Sequence, residues 1–239
     1  MSWGYGYYQK PSAATIAKRI AKKRKQLEKT LGELQPITIE GRKLATTWWG
    51  KSWDENLERY ADYENRIGRG RTYCRNGSIL HLQISEGAVY ALVAGTSLYE
   101  VHIRIDPLSD AKWKGICSAC AKRVDSIAAL VEGRFPKELA DIFMKQGDGL
   151  FPTPKEIHMA CDCPDWAGMC KHIAAALYGV GSRLDQDPLL FFTLRGVEPG
   201  ELIKKSVEEK MQSLLAHANQ TSDRIIDDPA QVEQIFGVL

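Results

Sequence analysis

The chain has 239 residues, 44% of them hydrophobic and 26% charged, with a formal net charge of +2 at pH 7. That balance fits a folded chain of one or two domains, large enough to bury a core of its own. No apolar run nears the roughly 18 residues of a membrane span. The opening MSWGYGYYQKPS lacks the apolar stretch of a secretory signal. Six cysteines in this length do not make a disulfide scaffold, so a reducing, cytoplasmic location is expected.

Charge is uneven along the chain. Residues 1–75 hold sixteen Lys or Arg against eight Asp or Glu, and residues 76–239 hold sixteen against twenty-two. Phosphate contacts are therefore expected to begin in the first part. Trp3, Tyr5, Tyr7 and Tyr8 read either as a mobile tail or as rings for unpaired bases. Next, ATIAKRIAKKRKQLEKTLGEL sets Ile16, Ile20, Leu27, Leu31 and Leu34 at near-helical spacing, and Pro36 stops the helix. Lys18, Arg19, Lys22, Lys23, Arg24 and Lys25 spread around it, either as a solvated face or as a grip on nucleic acid.

Trp48, Trp49 and Trp53 read as core bulk. A helix is predicted over 52–63, with Ser52 as N-cap and Glu55 at capping-box spacing. Arg66, Arg69 and Arg71 then alternate with Gly68 and Gly70. A loop so built brings forked donors close to phosphates, although it also serves as a soluble turn.

The period then changes to two. TYCRNGSILHLQISEGAVYALVAG gives two alternating runs joined at SEG, and YEVHIRI gives another strand. Asn76-Gly77 suggests a further tight turn pairing 72–75 with 79–84, for about four antiparallel strands. On their wet face stand Arg75, His81 and Arg104; His81 and His102 read as ordinary strand histidines. DAKWKGICSACAKRVDSIAALVEGRF reads as a helix stopping near Gly133, with Cys117 and Cys120 packed on one face rather than joined in a metal or redox pair. PKELADIFMKQGDG reads as another helix.

The densest chemistry lies in CDCPDWAGMCKH. Cys161, Cys163, Cys170 and His172 offer four soft or borderline ligands within twelve residues, the demand of one structural zinc ion. Four protein ligands leave no open position for a substrate, which argues for structure over catalysis. Pro164, Asp165 and Gly168 suit the intervening turns, and EIHMA is a short strand leading in. Trp166 is either a lid on the metal shell or a stacking residue. IAAALYGVG begins a buried helix that Gly179 or Gly181 ends. Loss of one thiolate is expected to unfold residues 155–182. Beyond it, DPLLFFTLRG is a docked apolar segment, a polar helix runs from Glu198 to about Ala218, and Ile235, Phe236, Val238 and Leu239 form an apolar end suited to the body or to a partner.

On its Cys-x-Cys and Cys-x-His pairs the chain resembles the SWIM-type zinc finger family. WWGKSWDENLERY, GRGRTYCRNGSILHLQI, GLFPTPKEI and LYGVGSRLDQDPLLFFTLRG extend the likeness to bacterial SWIM zinc finger proteins over most of 7–203. The resemblance implies one structural zinc ion, no enzymatic activity, and association with helicase-like remodelling ATPases.

The expected fold is α+β, with an N-terminal antiparallel sheet and helices plus a small zinc-stabilised ββα-like unit. Its divisions are a basic tail and helix (1–35), an α+β domain (36–150), the finger with docked helices (151–196) and a C-terminal helical tail (197–239). No Gly-rich Lys loop, nucleophile elbow or His-Glu-x-x-His pair is present. The expected function is therefore a non-catalytic adapter for DNA, or for RNA, working with a helicase-like ATPase. Lys22, Lys23, Arg24, Arg66, Arg69 and Arg71 are its phosphate contacts, and neither a membrane nor a small-molecule substrate is involved. The alternative is a protein-interaction subunit that regulates such an ATPase without touching DNA.

Overall fold

A computed structural model of the chain describes residues 11–59, 64–121, 123, 129, 136–165 and 167–218. The N-terminal aromatics, Trp166 and the apolar C-terminal end lie outside the described residues, as does most of the stretch leading to Gly133. Helix α1 spans Ala13–Leu31, capped by the Ser12 side chain, which accepts from the Thr15 N–H. It ends at Gly32, whose φ of 79° breaks the helix before Pro36 is reached. Helix α2 is Trp48–Glu58 and α3 is Glu64–Arg75. Three strands follow, β1 (Ile79–Ser85), β2 (Ala88–Ala94) and β3 (Leu98–Ile105). Then come α4 (Asp110–Ala121), a short turn of helix α5 (Ala140–Phe143) and β4 (Ile157–Cys161). Helices α6 (Lys171–Gln186), α7 (Leu190–Leu194) and α8 (Pro199–Ala218) complete the order. No helix among the described residues is long and apolar enough to cross a membrane.

The α+β expectation is met: the strands form one antiparallel sheet in the order β1-β2-β3-β4. Its fourth strand differs from the one expected. Residues 72–75 end α3 rather than pairing with β1, and Gly77, at φ 68°, turns the chain out of the helix. The Asn76 N–H still reaches the Thr72 carbonyl, so Asn-Gly acts as a helix stop instead of a hairpin turn. The fourth strand comes from the segment before the cysteines, with Val101 opposite Cys161 and Ile105 opposite Ile157.

Strand alternation explains where the core lies. Val89, Ala91 and Val93 of β2 and Val101, Ile103 and Ile105 of β3 are buried, while His102 and Arg104 of β3 face outward. Helix α6 lies against the buried face, with twelve of its sixteen residues buried, which makes it the central element. It does not stop at Gly179 or Gly181. A Cβ at Gly179 would come within 2.7 Å of Leu82 and 3.0 Å of Ile79, so glycine is what lets helix and sheet approach. Alanine, glycine and one-turn spacing together make α6 thin, and thin helices pack close.

Helices α2 and α3 flank α6. The Trp53 indole N–H donates to the Leu177 carbonyl at 2.8 Å and the Trp49 N–H to Leu184 at 2.7 Å. Helix α2 begins four residues earlier than expected, because Thr47 caps it by accepting from the Gly50 N–H; Ser52 sits inside and donates to the Trp48 carbonyl. The arginine-glycine segment is helix α3, not a loop. Gly70 meets Ala174 so closely that a Cβ there would lie 2.5 Å from the alanine methyl. The glycine thus serves helix contact, whereas Gly68 faces open space.

Helix α8 packs on α4 through buried Leu202 and Ser206, with Lys205 Nζ donating to Ser118 Oγ at 2.9 Å and the Trp113 indole donating to Glu201. Cys117 and Cys120 are buried on α4, as the packing reading expects. Burial pushes their thiols up to about 11 and about 12, so both stay protonated and unreactive at neutral pH.

Candidate metal centre

Two elements deliver the four candidate ligands. β4 carries Cys161 at its last position, and pairing continues past the strand end as the Glu100 N–H donates to Asp162 Oδ1 at 3.0 Å. Cys163 follows in the turn. Cys170 is the N-cap of α6, its sulfur accepting from the Ile173 N–H at 3.4 Å, and His172 is the second residue of that helix, fully buried. A helix N-terminus carries partial positive charge, which favours a thiolate at the cap.

The donor atoms of Cys161, Cys163, Cys170 and His172 all lie within 4.8 Å of one another. His172 Nδ1 stands 3.8 Å from the sulfurs of both Cys161 and Cys170. Those separations are too long for strong hydrogen bonds and match the corners of a tetrahedron around one ion. The four residues form a site able to hold a metal ion.

Electrostatics set the protonation state in which the four residues would meet a cation. Burial pushes the Cys161 and Cys170 thiols up, and burial, with help from Lys171, holds the His172 imidazole down to about 4. A neutral imidazole with a free lone pair is the form that ligates, and a divalent cation overturns the thiols' preference for their protons.

Packing fixes the imidazole. Tyr99 stacks on it at 4.1 Å between centroids, and Tyr73 meets it edge-on at 5.5 Å. Its Nε2 is buried with no hydrogen-bond partner among the described residues, against Gly95, where a Cβ would come within 3.0 Å of it. Ring contact therefore replaces the hydrogen-bonded acceptor that more often orients a ligating histidine. Neither tyrosine nor Gly95 was legible as part of the site, since nothing in their spacing links them to the cysteines.

The expected phosphate contacts are scattered around this centre and partly engaged by the protein. Lys23 Nζ donates to the carbonyls of Gly95 and Thr96 at 2.9 and 3.0 Å, tying α1 to the turn that covers His172. Arg66 pairs with Asp165 at 3.1 Å and so braces the loop between the ligand pairs. Arg71 pairs with Glu58 at 2.5 Å and donates to the Tyr178 hydroxyl at 2.9 Å. Arg24 pairs with Glu28 on the surface, while Lys22 and Arg69 are exposed.

A second cluster of titratable groups joins α2 to α6. Asp185 accepts from the N–H and hydroxyl groups of both Thr46 and Thr47. Asp54 is half-buried against Gly181, and its buried Oδ1 has no partner among the described residues. Burial, then the nearby Glu58 and Asp185 carboxylates, push Asp54 up to about 8.

Over 190 residues the chain is 32% identical to the uncharacterized protein Rv2102 of Mycobacterium tuberculosis, an alignment covering 77% of this chain and 68% of that protein. The chain belongs to the Rv2102 family. No family model matches it, and no solved structure matches it. An Rv2102-family chain thus combines a one-sheet α+β fold with a Cys3His cluster set between an edge strand and the central helix.

Proposed function

We propose that this Rv2102-family protein is a non-catalytic, SWIM-like zinc protein that binds nucleic acid, DNA foremost, and works with a helicase-like ATPase. Zinc suits the donor set. Bonds of roughly 2.3 Å to sulfur and 2.0–2.1 Å to nitrogen at tetrahedral angles put sulfur and nitrogen about 3.6 Å apart. The 3.8 Å separations at His172 lie close to that value. All four positions are protein ligands, so the ion holds β4 to α6 rather than activating water.

The observation that carries the nucleic-acid reading is α1. This nineteen-residue helix buries none of its residues and concentrates six basic side chains between Lys18 and Lys25. A single-signed, solvated surface gains affinity for phosphate chiefly by releasing counterions, with little sequence readout. Lys22, Arg24 and Arg69 remain the contacts from the original six, because Lys23, Arg66 and Arg71 hold the fold together.

Fluorescence anisotropy of labelled single- and double-stranded DNA, with zinc-loaded protein at low and near-physiological salt, tests the reading. Binding should be salt-steep and should weaken when Lys18, Lys22 and Lys25 are changed together to Glu. Absence of binding at low salt would sink it.

One feature favours the protein-interaction alternative. Val207, Met211, Leu214 and Leu215 are exposed on α8. Four large apolar side chains within nine residues suit a helical partner surface. Under that reading an ATPase complex survives nuclease treatment, and changing Met211 and Leu214 to Glu disrupts it while nucleic-acid binding is untouched.

A further inference from the structure

A groove runs between α1 and the end of α3, and its floor and rim differ in chemistry. The extended segment 35–37 lies along the outer edge of β1, with the Ile37 N–H donating to Ile79 and the Leu82 N–H donating to Gln35. Helix α1 crosses above it, leaving a cavity of about 370 Å³. Pro36, Ile37 and Leu80 supply an apolar floor beneath Ile20 of α1, and Arg24 and Arg75 complete the lining. No carboxylate among the described residues lines it. Glu28 pairs with Arg24 from outside through Nε alone, and Arg75 gives only its Nε to the Arg42 carbonyl. Both guanidinium groups therefore keep terminal N–H donors.

Resting on the nucleic-acid reading above, we propose that this groove takes one unstacked nucleotide of a single strand, its base on the apolar floor and its phosphate between Arg24 and Arg75. Three features point to that occupant. The volume is near the low end of ligand cavities, roughly 300–1,000 Å³, and so admits a nucleotide rather than a helix or strand of protein. A floor of apolar side chains rewards a base removed from its stack, which a duplex cannot offer without unpairing. Two arginines without a lining carboxylate supply the forked donors that phosphate accepts. Arg75 thus joins Arg69 as an α3 residue that meets the strand, while Arg66 and Arg71 are held by the fold.

Anisotropy with a labelled oligothymidylate and with its duplex on oligoadenylate separates the alternatives. In the full chain, Arg75→Gln removes the cation, and Ala21→Trp fills the groove from an exposed helix position without changing charge. Each should weaken single-strand binding about tenfold and duplex binding less than about twofold, because only an unpaired, unstacked base can enter the groove. The joint Lys18, Lys22 and Lys25 reversal should weaken both forms alike. If Ala21→Trp leaves single-strand affinity intact while that reversal lowers it, the groove assignment is wrong and the basic-helix reading stands. Equal loss on duplex and single strand also overturns the groove. If the unaltered protein binds neither form, both readings fall.

Discussion

At the scale of single residues, the candidate metal ligands and the half-buried Asp54 carboxylate make opposite demands on protonation. Cys170 serves twice, as ligand candidate and as helix cap, so Cys170→Ser removes one of the three thiol donors while keeping a capping oxygen. That variant should carry no bound zinc and melt well below the parent; retention of one equivalent by elemental analysis would dismiss the ligand set. Asp54 is held protonated in the fold, at about 8 against 3.8 for a free carboxyl. Between those values the folded state binds the extra proton, so this group's contribution to stability is complete below about pH 3.8 and fades as pH rises through 8. Asp54→Asn should therefore shift urea midpoints upward, more at pH 8 than at pH 6, and flatten the profile. A pH profile parallel to the parent's would show that Asp54 is ionised. Glu156 works the other way. Burial opposes its charge, but Arg195 and the Thr153 N–H and hydroxyl hold it down to about 2, so its contribution stands above pH 4.5 and is lost in acid.

At the scale of elements, glycine marks contact more than punctuation. Gly68 and Gly70 look alike in sequence, two residues apart in one helix. Gly70→Ala should cost about 1–3 kcal/mol, because it overpacks the α3–α6 contact. Gly68→Ala meets nothing within 4 Å and should gain about 0.5–1 kcal/mol. Equal effects in denaturant titrations would contradict the packing. The same ambiguity limited what the sequence could reveal. Strands β1 to β3 were legible, because apolar residues alternate and Glu86-Gly87 turns the chain. Helix α1 was legible from its spacing. The α3 segment was not, since Arg-Gly repeats and Asn76-Gly77 are loop signals locally and become helix and helix stop only when Ile67, Cys74 and Ala174 bury one face. Likewise Thr47 and Ser52 both qualify as caps, and only the contact of Thr47 with Asp185 chooses between them. The four ligand positions were plain in the sequence; the tyrosine clamp on His172 was not, because it comes from α3 and β3, seventy or more residues upstream.

At the scale of the molecule, the candidate metal centre is joined to the core and not appended to it. The Cys161 strand is the fourth of the sheet, and the Cys170 helix is its main cover. Loss of the ion should therefore spread beyond 155–182. Chelation ought to reduce helical circular dichroism by more than α6 alone supplies and to lower protection of β2 amides in hydrogen exchange. A loss confined to the finger would show that the rest stands by itself. Zinc-finger peptides gain roughly 10–16 kcal/mol from their ion, comparable with a whole domain's stability. The order of elements also bears on synthesis. The inner face of β1 to β3, with Val89, Val93 and Ile103, is complete by Ile105, yet its cover ends at Gln186. At about 5–20 residues per second, a ribosome leaves that oily face uncovered for roughly 4–16 seconds. A nascent chain must be shielded through that interval, and an ion bound at the candidate centre would be the latch that closes it.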